Sequence, residues 1–262
     1  MKARWCALAL TACAAIAAGC GNDDNGNGGG GSSAEPTRLV VSAASSTTEA
    51  LEKCAPQFGE AENAEVRLSF AGSDELAAQI RQGAKVDVYA AANTRIPDEL
   101  YGEDLLSKPV EFATNEFVLA VPKDSEIDSV DDLTKEGTKV VIGSASGPIG
   151  EYTRETLGNL PPAQEKAILA NVRSNEPDVK GIVGKLTQGA ADAGFVYVTD
   201  VNATGGDLKA IHLAKTLEPE VTYGAGVVSK GEQPELAQRF VDGLTQGDCA
   251  QALTEAGFGP AP

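Results

Sequence analysis

The sequence predicts an α/β fold of two lobes, each a mostly parallel sheet flanked by helices. Apolar runs of strand length alternate with patterns of helical periodicity along the body of the chain. The 262 residues are enough for two modest lobes or for one larger domain. Two long apolar runs, 112–122 and 221–229, are suited to passing from one lobe to the other.

The N-terminal residues are expected to form a targeting segment. Two basic residues precede an apolar run at 7–18, and small residues come directly before Cys20. This pattern resembles a bacterial lipobox, so 1–19 is interpreted as a lipoprotein signal peptide and Cys20 as the lipidated residue. An ordinary secretory signal with an incidental cysteine is the alternative. Residues 20–35, rich in Gly, Asn, Asp and Ser, predict a flexible linker. The protein is therefore expected outside the cytoplasm, lipid-anchored to the cell membrane.

The five cysteines divide between the targeting segment and the body. Cys6 and Cys13 would leave with the signal peptide, and Cys20 would carry the lipid. Cys54 and Cys249 remain as an even pair in an oxidising compartment, which predicts one disulfide between the first and last helices of the body. Two buried free thiols are the alternative.

The first part of the body predicts three strand–helix pairs. Strands and helices are expected to alternate in the order 38–41, 48–58, 65–70, 73–83, 86–91 and 98–101. Pro56 lies inside the first helical pattern, where it should kink the helix or end it early, because proline lacks a backbone donor and crowds the preceding turn.

The remainder of the body continues the alternation. Ser129 begins a capping-box pattern, and Pro177 suits the first turn of a helix. Strands are expected at 112–121, 139–142, 194–198, 210–213 and 222–229. Helices are expected near 129–132, at 149–157 and 163–170, after Pro177, and at 234–244 and 249–256.

Four strand-to-helix junctions gather neutral hydrogen-bond donors. The first contains consecutive hydroxyls from Ser45 to Thr48, and the second contains Ser73. The third has two serines before Ile149, the fourth lies at Val179, and Tyr197 adds a phenol at a strand end. Free N–H groups at helix N-termini, with such hydroxyls, can hold an anion without a counter-ion. Taken singly, each serine is more often a helix cap, and Tyr197 a core-edge aromatic.

Charge and motif content exclude several classes of function. The net charge of −17 argues against nucleic acid and against a polybasic membrane contact. The single histidine, His212, is distant in sequence from every junction, so neither a catalytic triad nor a His/Cys metal site is expected. The acid pairs at 74–75 and 131–132 are interpreted as solvated charges of helix first turns. No enzyme activity is predicted.

Six segments, in order, resemble the extracytoplasmic molybdate-binding proteins of bacterial ABC importers. They are LVVSAASSTTEAL (39–51), FAGSDELAAQI (70–80), VDVYAAA (86–92), GPIGEYT (147–153), EPDVKG (176–181) and AGFVYVTD (193–200). The resemblance implies a type II periplasmic-binding fold, whose lobes close on a tetrahedral oxyanion without performing chemistry. It also implies a monomer without a cofactor, which binds molybdate or tungstate and delivers it to a membrane permease with its ATPase.

The resemblance places ligand contacts at five positions. They are the hydroxyls of Ser46 and Ser73, the backbone N–H groups of Ile149 and Val179, and the phenol of Tyr197. Ser45, one step from Ser46, is the alternative first serine. Relatives often have alanine at position 149, but a main-chain contact tolerates isoleucine.

The two lobes are expected to comprise 36–113 with 220–262, and 114–219. Three rival functions stay open at this point. A sulfate or other tetrahedral-oxyanion carrier could use the same donors. A secreted hydrolase would need a base beside Ser46 or Ser73, and a sensor lipoprotein would bind no ion.

Overall fold

The computed structural model describes residues 36–262, and their strands form two separate five-stranded sheets. The predicted targeting segment, Cys20 and the predicted linker lie outside the described residues. The strands are β1 Thr37–Ala44, β2 Ala64–Ala71, β3 Val88–Ala91, β4 Val110–Asn115, β5 Phe117–Pro122, β6 Val140–Gly143, β7 Val172–Glu176, β8 Ala193–Tyr197, β9 Leu208–His212 and β10 Val221–Val227.

Nine α-helices connect and cover these strands in the described part of the chain. They are α1 Thr48–Glu62, α2 Ser73–Arg81, α3 Arg95–Gly102, α4 Pro148–Gly158, α5 Pro162–Ala170, α6 Val179–Thr187, α7 Val198–Ala203, α8 Pro234–Thr245 and α9 Asp248–Ala256. Short 3₁₀ turns occupy Ser45–Thr47 and Val130–Thr134. Within residues 36–262, every helix is too short or too polar to cross a bilayer.

The sheet topology confirms the predicted two-lobed α/β fold. The first sheet has the strand order β2-β1-β3-β10-β4, and the second has the order β7-β6-β8-β5-β9. Each sheet is mixed, because β10 in the first and β5 in the second run antiparallel to their neighbours. In both cases the antiparallel strand is the first that the chain forms after passing into that sheet. The other neighbours, β2-β1-β3 and β7-β6-β8, are parallel.

The predicted strand 112–121 is two strands in different sheets. β4 pairs with β10 in the first sheet, and β5 pairs with β8 and β9 in the second. Only Glu116 separates them. The apolar run is continuous because both strands are buried in their respective cores, so hydrophobicity alone does not mark the change of sheet.

Helix α1 differs from its prediction at the C-terminal end. It continues past Pro56 to Glu62, so the proline does not end it. Asn63, at φ 48°, closes the helix in the left-handed conformation that asparagine tolerates better than most residues. A disulfide joins Cys54 of α1 to Cys249 of α9, with 4.9 Å between the Cα atoms. Both cysteines are buried in the hydrophobic core.

Two elements were absent from the sequence prediction. β7, with the sequence VRSNE, is an edge strand of the second sheet, and its residues alternate between half-buried and exposed. Its polar composition hides it from a search for apolar runs. The other, α7, is a six-residue helix that begins directly after Tyr197.

Candidate functional site

A small cavity lies where the two sheets face each other. Ala44, Ala71 and Tyr197, the last residues of β1, β2 and β8, line it together with the first residues of α2, α4 and α6. The parallel neighbours in each sheet thus direct their carboxyl ends and the helices that follow to one point, as open α/β sheets do. The cavity measures about 20 Å³, on a scale where one water molecule needs about 10–15 Å³. It therefore admits one small, compact ligand.

The structure brings all five predicted ligand positions to this cavity. Ser46, Ser73, Ile149, Val179 and Tyr197 each line it. Ser45, the alternative first serine, lines it as well.

The helix starts at Ile149 and Val179 supply backbone donors to the cavity wall. Pro148 occupies the first position of α4, and Val179 that of α6. The first N–H groups of a helix have no acceptor within the helix. The carboxylate of Asp178 accepts a 3.0 Å hydrogen bond from Gly181 N and so occupies one of them, leaving earlier groups of α6 free of this cap.

Two glycines allow the start of α4 to sit directly on the end of β6. A Cβ atom at Gly150 would lie 1.8 Å from the Ser144 carbonyl oxygen, and one at Gly143 would lie 2.4 Å from Ile149 Cγ2. Larger residues would push α4 away from the strand and displace the Ile149 N–H from the cavity.

The hydroxyl of Ser73 is arranged as a donor to the cavity. Its Oγ atom accepts a 3.1 Å hydrogen bond from the backbone N–H of Ala92. A serine hydroxyl has one hydrogen to donate, and this contact leaves that hydrogen uncommitted. Thr47 and Thr48 differ, because their hydroxyls donate back to the carbonyls of Ala44 and Ser45, each at 2.7 Å.

The phenol of Tyr197 is a buried side-chain donor without a partner in the cavity wall. The residue is 1% exposed, and its hydroxyl has no hydrogen-bond partner among residues 36–262. A buried polar group without a partner costs about 1–3 kcal/mol. Burial raises the pKa of this phenol well above its usual value, so the hydroxyl keeps its proton and acts as a donor. A ligand with an acceptor atom in the cavity would give this hydroxyl its missing hydrogen-bond partner.

Comparison with known proteins identifies the family. The model for bacterial extracellular solute-binding proteins matches residues 39–259. The chain belongs to this family. The molybdate-binding protein ModA of Mycobacterium tuberculosis is 32% identical over 243 residues, which cover 91% of each chain. The resemblance to molybdate-binding proteins drawn from the sequence is thereby confirmed.

Two solved structures share the fold of this solute-binding protein. The periplasmic molybdate-binding protein of Azotobacter vinelandii superposes with a TM-score of 0.74 at 18% identity, covering 84% of this chain and 98% of that one. The sulfate-binding protein SubI of M. tuberculosis gives a TM-score of 0.73 at 15% identity, with 86% and 87% coverage. Since these two neighbours are named for different anions, the fold alone does not select between them.

Charged residues surround the solute-binding cavity rather than line it. Asp178 is the one charged residue in its wall, as far as the structure describes the chain. Two ion pairs join elements of the two sheets outside the wall. Arg95 Nε of α3 lies 3.1 Å from Glu151 Oε1 of α4, and Lys180 Nζ of α6 lies 2.7 Å from Glu49 Oε1 of α1.

A buried carboxylate, Asp200, lies behind Lys180. Its side chain is fully buried, and burial raises its pKa to about 7 against the opposing pull of the Lys180 charge. Lys180 Nζ lies 3.1 Å from Asp200 Oδ1 but outside hydrogen-bonding geometry, so the contact is an ion pair without an aligned hydrogen bond. Burial lowers the pKa of Lys180, but the charges of Asp200 and Glu49 outweigh it and leave a net rise.

Several groups considered from the sequence lie elsewhere. Ser144 and Ser146 do not line the cavity, and their hydroxyls lie 3.3 Å from each other. His212 is exposed and contacts Glu116. The interpretation of Asp74 as a solvated charge is wrong for one of its oxygens, because Oδ1 is buried without a hydrogen-bond partner among the described residues.

Sequence reasoning missed the residues that support Ser46. Ser46 Oγ lies 2.9 Å from the hydroxyl of Tyr223, a fully buried residue of β10. Asn115, the last residue of β4, donates to the same hydroxyl at 3.4 Å. No local pattern marks either residue, since the contacts span 177 and 108 positions.

Proposed function

We propose that this protein binds molybdate, and also tungstate, as a fully ionised oxyanion in the cavity between its two lobes. It then delivers the anion to the permease and ATPase of an ABC importer. In this proposal the chain performs no chemistry and needs no cofactor. It acts as a monomer, held outside the cytoplasm by a lipid on Cys20.

The observation that carries the proposal is the unpartnered hydroxyl of Tyr197. It faces the same cavity as the uncommitted hydrogen of Ser73 and the start of α4 at Ile149. All three are donors, which indicates that the ligand supplies acceptors to them. A fully ionised tetrahedral oxyanion has this property. A protonated phosphate would also require an acceptor, and the one carboxylate in the wall, Asp178, already accepts from Gly181 N through Oδ1.

The energy of such a site is adequate without a cationic side chain. Each hydrogen bond to an ionised group contributes about 1.5–3 kcal/mol net. Five donors, from Ser46, Ser73, Ile149, Val179 and Tyr197, would together contribute about 7.5–15 kcal/mol, and the upper part of that range covers the roughly 8 kcal/mol of a micromolar complex together with a binding cost of a few kcal/mol. The name of the M. tuberculosis relative favours molybdate as the anion.

The lobe assignment is part of the same proposal. We place the connections between the lobes at Glu116, between β4 and β5, and in the segment between β9 and β10. The sequence-based boundary at 113 would fall inside β4, which pairs with β10 on both sides of that position, from Val110 to Asn115. Closure of the lobes about these connections would enclose the anion, and the closed form would be the one that the permease recognises.

A thermal-unfolding series on the purified, ligand-free protein tests the proposal. Molybdate, tungstate, sulfate and phosphate are added separately at increasing concentration. A ligand at about 1,000 times its Kd adds about 4 kcal/mol, which for a protein of this size is a shift of about 10 °C. A shift with molybdate and tungstate alone supports the proposal. An equal shift with sulfate assigns a broader oxyanion carrier, and no shift with any anion refutes an oxyanion site.

Matched variants connect the shift to the cavity. Ser73→Ala should reduce the molybdate shift, because it removes a donor to the anion. Thr156→Val is the control, since the Thr156 hydroxyl is also buried but donates to the Leu217 carbonyl at 2.9 Å, away from the cavity wall. The control should lower the unfolding temperature and leave the molybdate shift unchanged. An unchanged shift in Ser73→Ala would remove Ser73 from the site.

A further inference from the structure

The hydroxyl of Ser46 stands at the end of a chain of three hydrogen-bonding groups. Ser46 Oγ lies 2.9 Å from Tyr223 Oη, and Tyr223 Oη lies 3.4 Å from Asn115 Nδ2. Of the three residues, only Ser46 lines the cavity. Asn115 belongs to β4, where the chain leaves the first sheet, and Tyr223 belongs to β10, where the chain re-enters it.

The orientation of the Asn115 amide is fixed by its oxygen. The backbone N–H of Glu116 donates to Asn115 Oδ1 at 2.9 Å, so this atom is the carbonyl oxygen. The amide nitrogen therefore points to Thr199 Oγ1 at 2.9 Å and to Tyr223 Oη. Because an amide NH₂ group can only donate, Tyr223 Oη accepts from Asn115.

The direction of the Ser46–Tyr223 contact follows from that assignment. Distances alone allow either oxygen to be the donor. Among the described residues, Ser46 and Asn115 are the hydrogen-bond partners of Tyr223 Oη, and Asn115 is already a donor to it. The phenol hydrogen is thus available to Ser46 Oγ. Burial of Tyr223 raises its pKa well above the usual value, so the hydrogen is retained.

We propose that Asn115 and Tyr223 form a directed hydrogen-bond relay that fixes Ser46 as a donor to the bound anion. Tyr223 is then a positioning residue, which acts on the anion only through Ser46. With the relay reversed, Ser46 would donate to Tyr223 and present lone pairs to a negatively charged ligand. The inference rests on the proposed function, because it requires an anion in the cavity.

Replacing Tyr223 by phenylalanine breaks the relay and keeps the buried ring. Ser46 can still turn its hydrogen to the anion, but it loses the group that holds it there and polarises it. We expect molybdate binding to weaken by about threefold to tenfold in a calorimetric titration. Combined with Ser46→Ala, the tyrosine change should have no further effect, because Tyr223 acts through Ser46. Equal affinity of Tyr223→Phe and wild type, or additive losses in the double variant, would overturn the relay.

Replacing Asn115 by aspartate should reverse the relay. A carboxylate at this position can keep the Glu116 N–H bond, but it accepts from Tyr223 instead of donating to it. The phenol then becomes an acceptor for Ser46 and draws the serine hydrogen away from the anion. We expect Asn115→Asp to bind molybdate about a hundredfold more weakly at a pH where the carboxylate is ionised.

The decisive measurement asks whether removing the Tyr223 hydroxyl restores part of the molybdate affinity that Asn115→Asp loses. Asn115→Asp also adds a negative charge, which weakens binding whether or not Tyr223 is present. In Asn115→Asp/Tyr223→Phe the charge remains, but no phenol can draw on Ser46, so this double variant should bind about tenfold more tightly than Asn115→Asp alone. A purely structural role for Tyr223 predicts the opposite order. A double variant that binds as weakly as Asn115→Asp, or more weakly, would overturn the relay.

The outcomes separate this inference from the proposed function. Wild-type protein that binds none of molybdate, tungstate and sulfate removes the proposed function and the relay with it. Wild-type protein that binds an anion without the rescue removes the relay alone. The cycle of Tyr223→Phe with Ser46→Ala does not use Asn115, so it decides the question even where Asn115→Asp does not fold.

Discussion

Removal of the Tyr197 hydroxyl should stabilise the ligand-free protein and weaken its binding of molybdate. Tyr197→Phe keeps the buried ring and deletes an oxygen that has no partner among the described residues. An unsatisfied buried hydroxyl costs about 1–3 kcal/mol. We expect the lower end of that range, because the cavity has room for a water molecule. A gain of about 1 kcal/mol raises the unfolding temperature by about 2–4 °C in a protein of this size.

The effect on the complex has the opposite sign. With the anion bound, the hydroxyl would donate to a charged acceptor, a bond that contributes about 1.5–3 kcal/mol. Its loss weakens the affinity by about 10- to 150-fold. Tyr197→Phe should therefore unfold at a higher temperature than wild type without ligand, and show a smaller increase when molybdate is added.

The control makes the same chemical change at Tyr89. The Tyr89 hydroxyl is equally buried but donates to the Ser73 carbonyl at 2.7 Å. Tyr89→Phe breaks a satisfied bond, so it should lower the unfolding temperature of the ligand-free protein. Calorimetric unfolding and titration with molybdate measure both quantities. The reasoning fails if Tyr197→Phe destabilises the ligand-free protein as Tyr89→Phe does, or if it binds molybdate with unchanged Kd.

Three further predictions concern residues outside the cavity wall. Replacing Cys54 and Cys249 by serine removes a cross-link between residues 195 positions apart, whose effect on the entropy of the unfolded chain is worth about 5 kcal/mol. The free energy of unfolding in urea should fall by about that amount. No fall would indicate that the two thiols are free in solution. Glu151→Gln breaks the exposed ion pair with Arg95, which joins helices of the two sheets, so the molybdate Kd should rise by less than about fivefold. At high salt the variant and the wild type should have the same Kd. A loss of affinity that does not depend on salt would contradict this. Because the pKa of Asp200 is raised to about 7, it stabilises the fold at acidic pH, and this contribution is lost as the pH rises from about 4 to about 7. Asp200→Asn should flatten that part of the curve of unfolding free energy against pH, and an unchanged slope would assign it to other groups.

The fold was predictable because its signals are local. Parallel strands and covering helices impose a hydrophobic periodicity on short windows of sequence, and most elements show it. The errors occur where the window carries no such signal. β7 is a polar edge strand. The run that contains β4 and β5 does pass between the sheets as expected, but it is apolar on both sides of Glu116, so the sequence does not show where one strand ends and the next begins.

The candidate site was predictable to the extent that it lies at helix starts. The carboxyl ends of parallel strands collect on one edge of each sheet, so residues that follow strands, such as Ser73 and Val179, converge at the cavity. The support for Ser46 was not predictable in this way. Tyr223 reaches it from a position 177 residues away, and such a contact depends on how the two sheets are placed.

The aromatic side chains between the two sheets have a consequence for spectroscopy. The one tryptophan of the chain is Trp5, in the predicted targeting segment, so residues 36–262 contain tyrosine as their longest-wavelength chromophore. The rings of Tyr197 and Tyr223 lie 5.9 Å apart, and Tyr152 lies 6.5 Å from Tyr197. Three of the five tyrosines thus report on the immediate surroundings of the cavity. Binding of a ligand in the cavity should therefore change the ultraviolet absorption and the tyrosine fluorescence of the unlabelled protein.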